Sequence, residues 1–263
     1  MLARARSLQA RALPHGWLDA LRQVSLFAAA LLAYRLVRGL VEGDANAAFA
    51  HARDVIRIEQ QLHVFVEPSI QAWASGSHFV MVACSWIYVN AQTTVIIGTL
   101  VYLYLRHNRS FYFVRNMFMV GMGIALVGYA LFPTAPPRFL PEWGFYDTVA
   151  DFTGVHINHT SASLSDVTNL YAAVPSMHVA FALMAGLPLA RLARWRIARV
   201  LWLLYPPLIV FVTIVTANHF VVDAFLGAVT AGVSAYAASW LARARPTVWR
   251  FSFKAPAGVT ASG

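Results

Sequence analysis

The chain has 263 residues, of which 59% are hydrophobic and 12% charged. Soluble domains carry about a quarter charged residues, so half of the polar surface that water demands is missing, and the chain reads as embedded in lipid. Its formal net charge of +9 is spread through short segments between apolar runs, which excludes the clustered basic face of a nucleic-acid binder. The single cysteine, Cys84, lies in an apolar run; it has no partner for an intrachain disulfide and no zinc-type spacing around it.

A helix needs about 20 apolar residues to cross the hydrocarbon core. The first candidate, near residues 20–40, is interrupted by Arg22, Arg35 and Arg38. A rival reading is a signal peptide, with arginines ahead of a short apolar stretch ending in Ala28-Ala29-Ala30; its removal would leave five spans and an external amino terminus. Next, Ile56, Leu62, Phe65, Val66, Ile70 and Trp73 mark a one-sided apolar face, read as an interfacial helix. Spans follow near 78–105, 112–132, 175–192, 198–216 and 219–241. The predicted fold class is all-α: a polytopic membrane bundle of six transmembrane helices plus an interfacial helix. It forms one membrane domain over 1–263, with polar tails at 1–19 and 246–263.

Basic residues set the orientation. With the amino terminus inside, fifteen of the 20 Lys/Arg residues, such as Arg4, Arg109, Arg194 and Lys254, fall in inner segments. Arg53, Arg57 and Arg138 are outside, and Arg35 and Arg38 sit near the outer end of the first span, where they can snorkel. Both termini are expected in the cytoplasm, with a plasma-membrane location.

Polar groups within or at the ends of spans are costly and need a partner or a purpose. Three clusters fall at the outer ends of spans three, four and six: Pro136-Pro137-Arg138, Pro175-Ser176-Met177-His178 and Asn218-His219-Phe220-Val221-Val222-Asp223. His219 and Asp223 are four apart, so on a helix they share a face, and the carboxylate can orient the imidazole as in a catalytic dyad. A structural His–Asp tie between helices is the competing reading. Pro175 suits a first helical turn. The N–H groups there, with the Ser176 hydroxyl, make an anion site, to which His178 adds a proton donor or acceptor; a serine cap beside an interfacial histidine is the plainer alternative. Arg138 follows a proline-stiffened stretch and suits bidentate phosphate binding, although a headgroup-binding arginine looks the same. Glu59, Glu67, Asp147 and Asp151 lie in outer loops without metal-site spacing. No metal and no cofactor is expected, because phosphoryl transfer is mostly positioning and charge neutralisation, and this set supplies both.

These motifs resemble those of the type 2 phosphatidic acid phosphatase superfamily. Pro175-Ser176-Met177-His178 resembles its Pro-Ser-x-His motif, and His219 with Asp223 and Gly227 its His-x-x-x-Asp motif with trailing glycine. Pro133-Thr134-Ala135-Pro136-Pro137-Arg138 resembles the arginine motif of the branch with inositol phosphorylceramide synthases. The resemblance covers about residues 80–240. It implies His219 as the nucleophile that becomes a phosphohistidine, Asp223 as its orienting group, His178 as the acid for the leaving oxygen, and Arg138 and Ser176 as phosphate ligands. Asn218 and Met177 would be supporting residues. The chain departs from the main branch at three positions: Leu131 and Thr213 stand where it has lysine and arginine, and Met177 where it has glycine.

Three functions are therefore weighed. The first is a membrane phosphatase cleaving a phosphomonoester or diphosphate of a phosphatidic acid-like or polyprenyl lipid at the extracytoplasmic face. The second is a lipid phosphotransferase that moves a phospho-headgroup to inositol or another polyol, which the missing cations and the Pro-Pro-Arg form favour. The third is a non-enzymatic lipid transporter or scaffold. The expected partners are a lipid phosphate and membrane lipids, with no nucleic acid. The outer loop from Phe139 to Val174, with Asp147, Asp151, His156 and His159, is expected to cover the site and bear on acceptor choice.

Overall fold

The computed structural model describes residues 16–40, 44–153, 169–246 and 250. Nine α-helices in this set are α1 (Gly16–Leu40), α2 (Ala45–Gln61), α3 (Glu67–Ser75), α4 (His78–Arg106), α5 (Asn108–Leu131), α6 (Thr148–Thr153), α7 (Met177–Leu192), α8 (Arg196–Val215) and α9 (Val221–Ala244). Among the described residues the chain is helical, apart from turns and one isolated bridge between Thr134 and Ala172. His156 and His159 and most of the expected polar tails lie outside the described residues, whereas Gly16 to Asp19, expected in the amino-terminal tail, form the first turn of α1.

Five helices, α1, α4, α5, α8 and α9, are long and apolar enough to cross a membrane. The segment expected as the fourth span is the shorter apolar helix α7, of 16 residues, or about 24 Å at 1.5 Å per residue. It is the most enclosed element: Val179, Ala180, Phe181, Met184 and Ala185 are all buried against its neighbours. Small residues allow this closeness. A Cβ on Gly186 would stand 2.8 Å from the Trp202 carbonyl of α8, and one on Gly227 only 2.4 Å from the Ser176 carbonyl. Close approach at small residues is how helices associate where no hydrophobic force between them operates.

One polar tie lies deep in the bundle. Arg115 of α5 is wholly buried and donates to Gln23 of α1 and, at 2.7 Å, to Asn116 Oδ1, while Tyr104 donates to Asp19 at 3.0 Å. It joins α1 to α4 and α5, which gives the arginine the partners that burial requires.

Above the bundle sits a second, smaller core. Ala48, Ala52, Val55 and Ile56 of α2 pack with Phe139, Leu140, Phe145 and Phe220. The expected interfacial helix over Ile56 to Trp73 is thus two helices, α2 and α3, broken at His63 with φ of 58°. Their buried faces contact protein rather than lying open: the loop after α5 and the segment before α9 cover α2, while Ile70 and Ala74 of α3 pack against α4 and α8.

Candidate active site

The Pro133–Arg138 stretch leaves α5 and is pinned from three sides. Thr134 N–H donates to the Tyr171 carbonyl at 2.7 Å, Ala135 N–H to Ala48 at 3.1 Å, and Arg138 N–H to Ala217 at 2.8 Å. His51 stacks on Phe132 and bonds the Pro133 carbonyl at 2.7 Å. The last of the three N–H bonds joins the arginine segment directly to the segment that carries His219. The Arg138 guanidinium lies over the Phe139 ring, with Nε 3.2 Å from Asp147 Oδ2.

Ser176, fully buried, is the N-cap of α7, and its Oγ accepts the Val179 N–H at 3.5 Å. Pro175 therefore precedes the cap rather than standing in the first turn as expected. Ser176 N–H donates to the Asp223 carbonyl at 3.1 Å, which clamps the start of α7 onto the start of α9. His178, in the first turn of α7, stacks on Tyr88 of α4 at 4.3 Å between ring centroids.

His219 is not on a helix with Asp223. It stands ahead of α9, in a segment held by the Thr213 carbonyl, which accepts the N–H groups of Asn218 at 3.0 Å and His219 at 3.3 Å. Asp223 Oδ2 accepts the Phe220 N–H at 2.9 Å and lies 3.4 Å from His219 Nδ1, without hydrogen-bond alignment. The two groups expected on one helical face therefore meet because the chain turns at Ala217, with φ of 50°, into the cap of α9. With Nδ1 toward Asp223, Nε2 is the nitrogen on the far side of the ring. Burial, then the charge of Arg138, draw the His219 imidazole down to about 3, with Arg38 acting the same way and a hydrogen bond to the Ala173 backbone carbonyl opposing. The ring is neutral at physiological pH.

The imidazoles of His178 and His219 are 5.6 Å apart between centroids, tilted by 59°. Both line one cavity of about 340 Å³, together with Arg138, Asn218 and Met177. Asn218 donates to the Thr216 carbonyl at 2.9 Å while its buried Oδ1 has no partner. The cavity runs on between α1 and α4, where Phe27, Leu31, Val89, Ile96 and Ile97 line it. All seven residues singled out from sequence are thus gathered at one end of the bundle, with Ser176 and Asp223 beneath the cavity wall rather than on it. No group of three His, Cys, Asp or Glu that could hold a metal occurs among the described residues.

The sequence profile of the PAP2 superfamily matches residues 53–237. The chain belongs to the PAP2 superfamily. No curated protein and no solved structure matches the chain. Membership carries a membrane phosphatase-type function, hydrolase or phosphotransferase, and Arg138, Ser176, His178, His219 and Asp223 all fall within the matched segment.

Sequence reasoning passed over several residues of this PAP2 site. Tyr88 gave no signal, as an aromatic in an apolar run. From sequence Arg38 reads as a snorkelling residue, yet it lines the cavity. Glu59 and Glu67 read as outer-loop acids, yet both are fully buried and accept the N–H groups of Val222 and Val221, at 2.7 and 2.8 Å. A signal for Glu59 existed: it follows Val55 and Ile56 at helical spacing, on the face that the cap core buries.

Proposed function

We propose that this PAP2 protein is an integral membrane lipid-phosphate phosphatase that works at the extracytoplasmic end of its bundle through a phosphohistidine. The carrying observation is the shared cavity: two imidazoles 5.6 Å apart and Arg138 at one end, an apolar channel between α1 and α4 at the other. A phosphate on a lipid tail matches that polarity, the headgroup among the charged and imidazole groups and the chain in the channel. In this reading α7 is a sixth, short span, and the excess of basic residues at the opposite end supports an outward-facing site.

The chemistry divides into two displacements. His219 Nε2 attacks phosphorus as Asp223 steadies the charge appearing at Nδ1–H. The P–O bond to the lipid breaks, and His178 gives its proton to the departing oxygen. Arg138 holds the non-bridging oxygens, Ser176 caps the start of α7 beneath the wall, and Asn218 and Met177 shape the wall. Water then attacks the phosphohistidine, giving its proton to His178; the P–N bond breaks and inorganic phosphate leaves. No cofactor enters this scheme.

A second reading, transfer to inositol or another polyol, draws on the departures from the main branch. Leu131 is 77% exposed at the end of α5 and Thr213 is fully buried, and neither lines the cavity. The Pro-Pro-Arg form adds a resemblance to the synthase branch. The deciding assay is phosphate release by purified protein from a panel of lipid phosphates and diphosphates, with chelator present and beside His219→Ala. Release that requires His219 supports the phosphatase. No release, with label passing from lipid donor to inositol, supports the transferase, and loss of neither product in His219→Ala overturns both.

A further inference from the structure

A phosphate dianion in this cavity needs more positive charge than Arg138 offers, because Asp147 already stands 3.2 Å from its Nε. The other cavity walls supply imidazoles, amides and apolar groups, and His219 is neutral. Two guanidiniums on α1 line the same cavity, Arg35, which is exposed, and Arg38, which is half-buried. Arg38 lies over the Tyr129 ring, Cζ 5.7 Å from its centroid, within the range of a cation–π contact. Its Nη2 reaches the Asn169 carbonyl at a long 3.4 Å, and its buried Nε has no partner. A buried donor without an acceptor is costly, and an incoming phosphate oxygen would remove that cost.

The scaffold beneath Arg38 is tied to the site itself. Tyr129 OH stands 3.4 Å from Tyr34 OH, one turn earlier on α1, and donates to the Pro175 carbonyl at 3.4 Å, next to Ser176. The guanidinium is therefore referenced to the same backbone that leads into α7. We infer that Arg38 is a second phosphate-binding residue, lining the same cavity as Arg138, so that α1 clamps the headgroup at its outer end while its Phe27 and Leu31 flank the lipid chain. The inference rests on the phosphate-binding reading of the site, not on whether water or an alcohol completes the reaction.

The test uses full-length protein in detergent with orthovanadate and inorganic phosphate as probes, binding being read from the rise in melting temperature. Wild type is stabilised by both anions. Arg38→Gln needs about tenfold or more higher anion concentration, the loss expected for one charge-assisted hydrogen bond. Arg38→Lys falls between, since it keeps the charge and loses the fork. A short-chain lipid phosphate, tested on the inactive His219→Ala background, shows the same ranking if the lipid headgroup is the natural source of the phosphate. Wild-type anion affinity in Arg38→Gln, or no stabilisation of wild type by either anion, overturns the inference. Should Arg38→Gln lose its melting transition, Arg38→Lys decides, with at least threefold weakening expected and unchanged affinity overturning. Anion binding that depends on Arg38 in a protein releasing no phosphate leaves this inference standing and removes the phosphatase reading instead.

Discussion

Glu59 Oε1 accepts the backbone N–H of Val222 at 2.7 Å, across 163 residues of chain. Its neighbours complete a row: Phe220, Val221 and Val222 give their N–H groups to Asp223, Glu67 and Glu59 in turn. These are among the donors a helix leaves unpaired at its start. The row fixes the segment directly after His219. Glu59→Ala leaves the Val222 donor unpaired and is expected to cost about 1–3 kcal/mol, read as a lower melting temperature together with weaker activity. Glu59→Gln keeps an acceptor oxygen and should retain most of the stability.

That pair also gives a pH signature. Burial first, and then the hydrogen bond and charge of Glu67, push the Glu59 carboxyl up to about 9, against the lowering effect of the Val222 N–H. A carboxyl raised in the folded state holds its proton there while the unfolded chain loses it near 4.5. Its contribution is complete below pH 4.5 and is lost as pH rises toward 9. The wild-type melting temperature should fall across that window, and Glu59→Gln should flatten the fall. An equal slope in both proteins removes this account of Glu59.

His219 titrates the other way. Its imidazole, drawn down to about 3, stays unprotonated through the whole range in which a free histidine would charge. In kcat/KM, which reports free enzyme, no acid limb from His219 should appear between pH 5 and 7. A limb centred near 6.5 that disappears in a His219 variant contradicts the burial-driven shift.

Asp223→Asn separates orientation from capping. The amide oxygen can still accept the Phe220 N–H, so stability should change little, whereas the carboxyl group 3.4 Å from His219 Nδ1 is replaced by an amide. A fall in kcat of roughly 10²–10⁴, the range for positioned acid–base groups, is expected with a near-normal melting temperature. Equal losses in stability and activity would assign Asp223 a structural role alone.

Gly227 tests the helix contact that sets the site's width. A methyl group there meets the Ser176 carbonyl at 2.4 Å, backbone that cannot rotate away, so Gly227→Ala should cost about 1–3 kcal/mol and lower activity by shifting α7 from α9. Gly232→Ala, on the same helix with open space around its Cβ position, serves as the control and should be neutral or slightly stabilising, since alanine exceeds glycine in helix propensity by up to about 1 kcal/mol.

Hydropathy and spacing alone determined the membrane class, the places of the spanning helices to within a few residues, and the three motifs at their ends. Those properties are local: a run of apolar residues folds as a helix in lipid whatever lies beside it. The partnership of His219 with Asp223 was legible too, though not its geometry, since the sequence pointed to one helical face and the chain instead turns at Ala217. What only the tertiary structure decided was which distant groups converge. Arg38 looks like any arginine near a span's end until Tyr129 and the packing of α1 on α5 bring it to the cavity. Glu59 and Glu67 look like loop acids until the cap core buries them against the start of α9. Such assignments depend on contacts between residues far apart in the chain, up to 163 positions, and no periodicity along a single segment encodes them.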